Sequence, residues 1–84
     1  MTEEAAKIIV YGAVWCPDVL MVRAFLDRYG IAYEYRDIDR EEGVMDALLA
    51  LRGKAWVVPT LVLPDGRILD NPSRQELKSI LGIR

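Results

Sequence analysis

Apolar positions along this chain switch between the spacing of a strand and that of a helix. From Lys7, the run Ile8-Ile9-Val10-Tyr11 is apolar and β-branched, as a buried strand reads. Gly12-Ala13-Val14-Trp15 then forms a loop, and Pro17 suits a first helical turn, where its missing N–H is no loss. Val22, Phe25, Leu26 and Tyr29 recur at helical spacing behind it, and Gly30 ends that segment. Ile31, Tyr33 and Tyr35 alternate with Ala32, Glu34 and Arg36, the period of a half-buried strand. Arg40-Glu41-Glu42 is read as opening a second helix, with Val44, Ala47, Leu48 and Leu51 on one stripe and Gly53 as its stop. Trp56 to Leu63 is a β run containing Pro59, which cannot donate to a ladder and belongs where the strand begins. Pro64-Asp65-Gly66 turns the chain, and Arg67 to Asp70 returns as the hairpin partner. Ser73-Arg74-Gln75-Glu76 has the form of a capping box ahead of Leu77, Ile80 and Leu81.

The order is therefore βαβαββα, an α/β fold. The first strand–helix–strand crossover requires a parallel pair, and the hairpin adds antiparallel strands. One four-stranded mixed sheet with three helices on its two faces is expected, in a single domain over residues 1–84.

Composition narrows the chemistry. With 11 basic and 13 acidic residues the net charge is −2, and no basic stripe suits a nucleic acid. No apolar run spans a bilayer, and Met1 to Lys7 lacks the basic start and apolar middle of a signal peptide. A soluble, cytoplasmic monomer without nucleic-acid or membrane partners is expected. The chain has no histidine, which removes Cys-His proteases and histidine-based metal motifs.

Cys16 is the only cysteine. It lies in Trp15-Cys16-Pro17-Asp18-Val19, at a loop-to-helix junction, so it is expected to be an exposed thiol rather than a core residue. A helix N-terminus favours thiolate over thiol, while a neighbouring carboxylate such as Asp18 opposes it. Acidic residues are also favourable in the first turn of any helix, so Asp18 has a purely structural reading as well. Arg52 and Lys54 are the cations that could approach in space. Tyr11, Tyr29, Tyr33 and Tyr35 read as core or sheet-face residues, and Trp56 as either core or the wall of a groove.

A Cys-Pro pair after the first strand and Val58-Pro59-Thr60 before the third resemble the glutaredoxin branch of the thioredoxin fold. Gly66-x-x-Leu69-x-Asn71-Pro72-Ser73 followed by Glu76 looks most like the mycoredoxins, actinobacterial relatives that serve mycothiol. The resemblance covers about Lys7 to Leu81. It implies that Cys16 is the nucleophile and that Pro59 is a cis-proline facing the sulfur. It further implies that the Val58 backbone pairs with a substrate thiol, that Trp15 and Pro17 shape the rim, and that Asp70 and Asn71 contribute to substrate binding. The departures bear on mechanism. Val19 stands where a resolving cysteine would, so a dithiol mechanism is excluded. Ala13, Trp56 and Val57 replace side chains that help to hold glutathione, and Asp70-Asn71-Pro72-Ser73 replaces the Gly-Gly and acidic pair.

The function implied is monothiol thiol–disulfide oxidoreduction of protein or small-molecule mixed disulfides. No cofactor is tightly bound, and mycothiol, glutathione or a similar thiol is the co-substrate. The rival reading is a redox-silent binding module on the same fold. An iron–sulfur cluster carrier ranks last, since the Gly-Phe-Ser that follows the cysteine in such relatives is missing.

Overall fold

A computed structural model of the protein describes residues 7–83. The reading of the N-terminal segment falls on residues 1–6, outside those described, save for Lys7. The elements are β1 (Ile8–Gly12), α1 (Pro17–Arg28), β2 (Tyr33–Asp37), α2 (Val44–Arg52), β3 (Thr60–Val62), β4 (Ile68–Asp70) and α3 (Arg74–Leu81). They form the expected four-stranded mixed sheet, in the order β2-β1-β3-β4. β1 runs parallel to β2 and antiparallel to β3, and β3 pairs antiparallel with β4.

Strand periodicity divides the core. Ile8 and Val10 of β1 and Leu61 of β3 point to the face where Val22, Phe25 and Leu26 of α1 meet Leu77 of α3. Ile9, Tyr11 and Val62 point to the other face, against Val44 and Leu48 of α2. Successive side chains on a strand face opposite ways, so the continuous apolar run of β1 is explained by helices on both sides. Each fully buried valine or leucine contributes about 1.5–3 kcal/mol by leaving water.

Two boundaries, the starts of α2 and β3, differ from expectation. The second helix starts at Val44, not near Arg40, because Asp37 holds the intervening turn: its Oδ1 accepts from the N–H groups of Asp39 at 2.8 Å and Arg40 at 3.1 Å. Gly43 then enters the helix in the left-handed region, at φ 84°. Gly53 does end α2, but a 3₁₀ turn over Gly53–Ala55 follows it, and Leu51 lies exposed rather than on the buried stripe. The run from Trp56 contributes only Thr60–Val62 to the sheet; Trp56 to Val58 form a loop, with Pro59 immediately before the strand as expected. Ser73 and Glu76 form the capping box on α3.

One close approach shapes the end of β1. A Cβ built on Gly12 would lie 2.7 Å from Val19 Cγ1 and 2.9 Å from the Tyr35 ring. No real Cβ fits there. Val19 is fully buried, its methyls occupying the space that Gly12 leaves open.

Candidate functional site

The thiol loop leaves the C-terminal end of β1 and turns tightly, with the Cys16 N–H donating to the Ala13 carbonyl at 3.2 Å. Cys16 is the N-cap of α1, in extended backbone, and Pro17 occupies the first helical position. The Cys16 carbonyl accepts from Val19 and Leu20, closing the first turn. The side chain of Cys16 caps nothing. Its Sγ instead reaches across the sheet end to the Val58 carbonyl, at 3.7 Å.

That contact corrects the expected exposure. Cys16 is 8% exposed and counts as buried, whereas its neighbour Trp15 is 63% exposed. Extended backbone at the cap sends the sulfur inward toward Val58 and leaves Trp15 and Pro17 on the surface. Trp15 is nonetheless held, since its indole N–H donates to Asp39 Oδ2 at 2.6 Å.

The Val58–Pro59 peptide bond is cis. Three successive carbonyls of this loop each accept from a different part of the chain. Val57 takes the Thr60 hydroxyl at 2.7 Å, Val58 takes the Cys16 thiol, and Pro59 takes the Asn71 N–H at 2.8 Å. Pro59 and Thr60 are buried, Val58 is half-buried, and Trp56 is 36% exposed beside them. Trp56 is thus not a core residue.

Asp70 and Asn71 lie at the end of β4, and both side chains are engaged within the protein. Asp70 pairs with Arg52 from the end of α2. Asn71 Nδ2 donates to Asp18 Oδ2 at 3.4 Å. Arg52 does therefore reach this end of the sheet; its Nε is buried without a hydrogen-bond partner. The structure brings Cys16, Val58, Pro59, Asn71 and Asp18 into one linked set, with Trp15 and Pro17 at its edge. Sequence reasoning missed Asp39 and Asp37. Only the Asp-x-Asp-Arg run at 37–40, a turn-forming pattern, hinted at them. Among the described residues, no three His, Cys, Asp or Glu side chains gather where they could hold a metal ion. No helix among them is long and apolar enough to cross a membrane.

A thiol at a helix N-terminus, facing a cis-proline loop on a sheet of this order, defines a thioredoxin-like protein. Solved structures agree. A mutant of the thioredoxin-like protein BC3987 superimposes with a TM-score of 0.80 at 29% identity, over 95% of this chain and 100% of that one. A glutaredoxin from Archaeoglobus fulgidus gives a TM-score of 0.75 at 25% identity, covering 90% of this chain and 86% of its own. The glutaredoxin family model matches residues 8–69. "Putative glutaredoxin Rv3198A" of Mycobacterium tuberculosis is 32% identical over 76 residues, 90% of each chain. The chain belongs to the glutaredoxin family. Family and fold support a thiol–disulfide oxidoreductase-like role.

Proposed function

We propose that this protein is a monothiol glutaredoxin that reduces mixed disulfides between a protein, or a small molecule, and a low-molecular-weight thiol. The observation that carries the reading is the placing of Cys16 Sγ at 3.7 Å from the Val58 carbonyl, beside cis-Pro59 and at the head of α1. The thiolate is the form that attacks. In the first step the Cys16 thiolate attacks the small-thiol sulfur of the mixed disulfide. The S–S bond breaks, the protein sulfur leaves and takes a proton, and Cys16 carries the small thiol. A second small thiol, as its thiolate, attacks the small-thiol sulfur of that adduct. A symmetrical small disulfide leaves and the Cys16 thiolate returns. The small thiols supply both electrons.

Val58 and Pro59 position the incoming sulfur, and Trp15 and Pro17 form the rim it passes. Asp70 and Asn71 stand behind the loop, their side chains committed to Arg52 and Asp18. Val19 at the fourth position of the Cys-Pro-Asp-Val sequence leaves no thiol to resolve the adduct from within. We place the protein in cytoplasmic redox homeostasis, acting as a one-domain monomer, with mycothiol, glutathione or a similar thiol as co-substrate.

Burial of Cys16 favours a second reading, a binding module that keeps the fold without turnover. A peptide carrying a glutathione or mycothiol mixed disulfide separates the two. On the monothiol reading, mass spectrometry finds the small thiol on Cys16 and free peptide in solution, and Cys16→Ser abolishes both. No adduct and no released peptide with either thiol would leave only the binding module.

A further inference from the structure

We infer that Asn71 is a positioning residue for Cys16, a clasp that fixes the cis-proline loop and draws the Asp18 carboxylate away from the sulfur. The inference rests on the reading of Cys16 as the nucleophile. Asn71 is the non-glycine residue with positive φ among those described, at 45°. Asparagine tolerates that left-handed conformation better than most side chains, and such strain is kept where surrounding contacts over-determine it. Here the contacts are specific. The Asn71 N–H holds the Pro59 carbonyl at 2.8 Å, one residue beyond the carbonyl that faces Cys16 Sγ. Its side-chain amide reaches Asp18, two residues beyond Cys16 on α1, at 3.4 Å. One residue thereby joins the loop to the first turn of the helix, across 53 positions of sequence. The neighbouring Asp70 ties the same strand end to Arg52 of α2.

The electrostatic consequence follows from what each group faces. A carboxylate close to the sulfur disfavours a second negative charge. Asp18 is the acidic residue in the first turn of α1, and its partner is the Asn71 amide, while the sulfur's partner is the Val58 carbonyl. Asp39 faces Trp15 and Asp70 faces Arg52, so the other acids that these contacts bring to the site are also committed. Releasing Asp18 from Asn71 frees its carboxylate to turn toward the thiolate.

The test is the rate of iodoacetamide alkylation at neutral pH, a reaction that needs no co-substrate. Asn71→Gly keeps the backbone conformation and deletes the amide; it is expected to slow alkylation roughly two- to tenfold, the worth of one ordinary, exposed hydrogen bond. Asn71→Asp keeps the shape and sets two carboxylates face to face, and should slow it at least as much. Exchanging the pair, with Asp18→Asn and Asn71→Asp together, restores the hydrogen bond and should return the rate to near that of the parent. A residue that served only the fold would show no such rescue. Parent-like rates in both single variants would overturn the inference, as would an exchanged pair no faster than Asn71→Asp alone. A parent protein that alkylates only after unfolding in urea would fail differently: it would end the nucleophile reading and the clasp with it.

Discussion

The hydrogen bond from the Trp15 indole to Asp39 crosses from the thiol loop to the turn after β2, and its acceptor is itself held in place. Asp37 is buried, and its Oδ1 accepts from the Asp39 N–H at 2.8 Å, so a buried carboxylate orients the exposed one that grips the tryptophan. A large exposed aromatic ring beside the thiol is thus fixed without being packed. Asp39→Ala should release it. In a Trp56→Phe background, which leaves Trp15 as the single tryptophan, fluorescence anisotropy should fall and acrylamide quenching should rise. Stability should change by under about 1 kcal/mol, since the bond is exposed. Unchanged anisotropy and quenching would mean that Asp39 does not hold the ring.

At the scale of elements, the third helix is the clearest case of local chemistry fixing a boundary. Ser73 Oγ accepts from the Glu76 N–H at 3.0 Å, and Glu76 Oε1 accepts from the Ser73 N–H at 2.7 Å. Ser73→Ala should cost about 1 kcal/mol, read as a lower urea midpoint with an unchanged slope. The capping box could be read directly from the chain because both partners lie within four residues. The same holds for the strand–helix order and for Pro59 at the head of β3, which follow from period and from a missing N–H. The start of α2 could not be read so, because whether Arg40 to Glu42 are helical depends on Asp37 taking the N–H groups that follow it. The site was legible as a set of residue types but not as contacts. Trp15 with Asp39, Asn71 with Asp18 and Arg52 with Asp70 join elements whose relative placing is set by sheet register. The burial of Cys16 depended on the same thing, the approach of a loop 42 residues away.

For the molecule as a whole, the sheet carries a pH dependence at its β2 edge. Burial raises the Tyr35 hydroxyl above its usual value of 10.0, and the charge of Asp37, to which that hydroxyl donates at 3.2 Å, raises it further. The folded protein therefore holds this proton more tightly than the unfolded chain does. The contribution is intact below about pH 10 and is lost as pH rises through the folded value. The urea midpoint should fall in that alkaline window, and Tyr35→Phe should flatten the fall; an identical profile in the variant would discount Tyr35 as its source. Tyr35 also meets the close approach at the end of β1, where Val19 fills the space left by Gly12. That fit ties the missing second thiol to the interior. A side chain added at position 12 would overpack the site at a cost of about 1–3 kcal/mol, and a cysteine at 19 would have to pack where two methyl groups now fit. A second thiol at position 19 would therefore sit in the packed interior against Gly12, not at the surface where an incoming disulfide arrives.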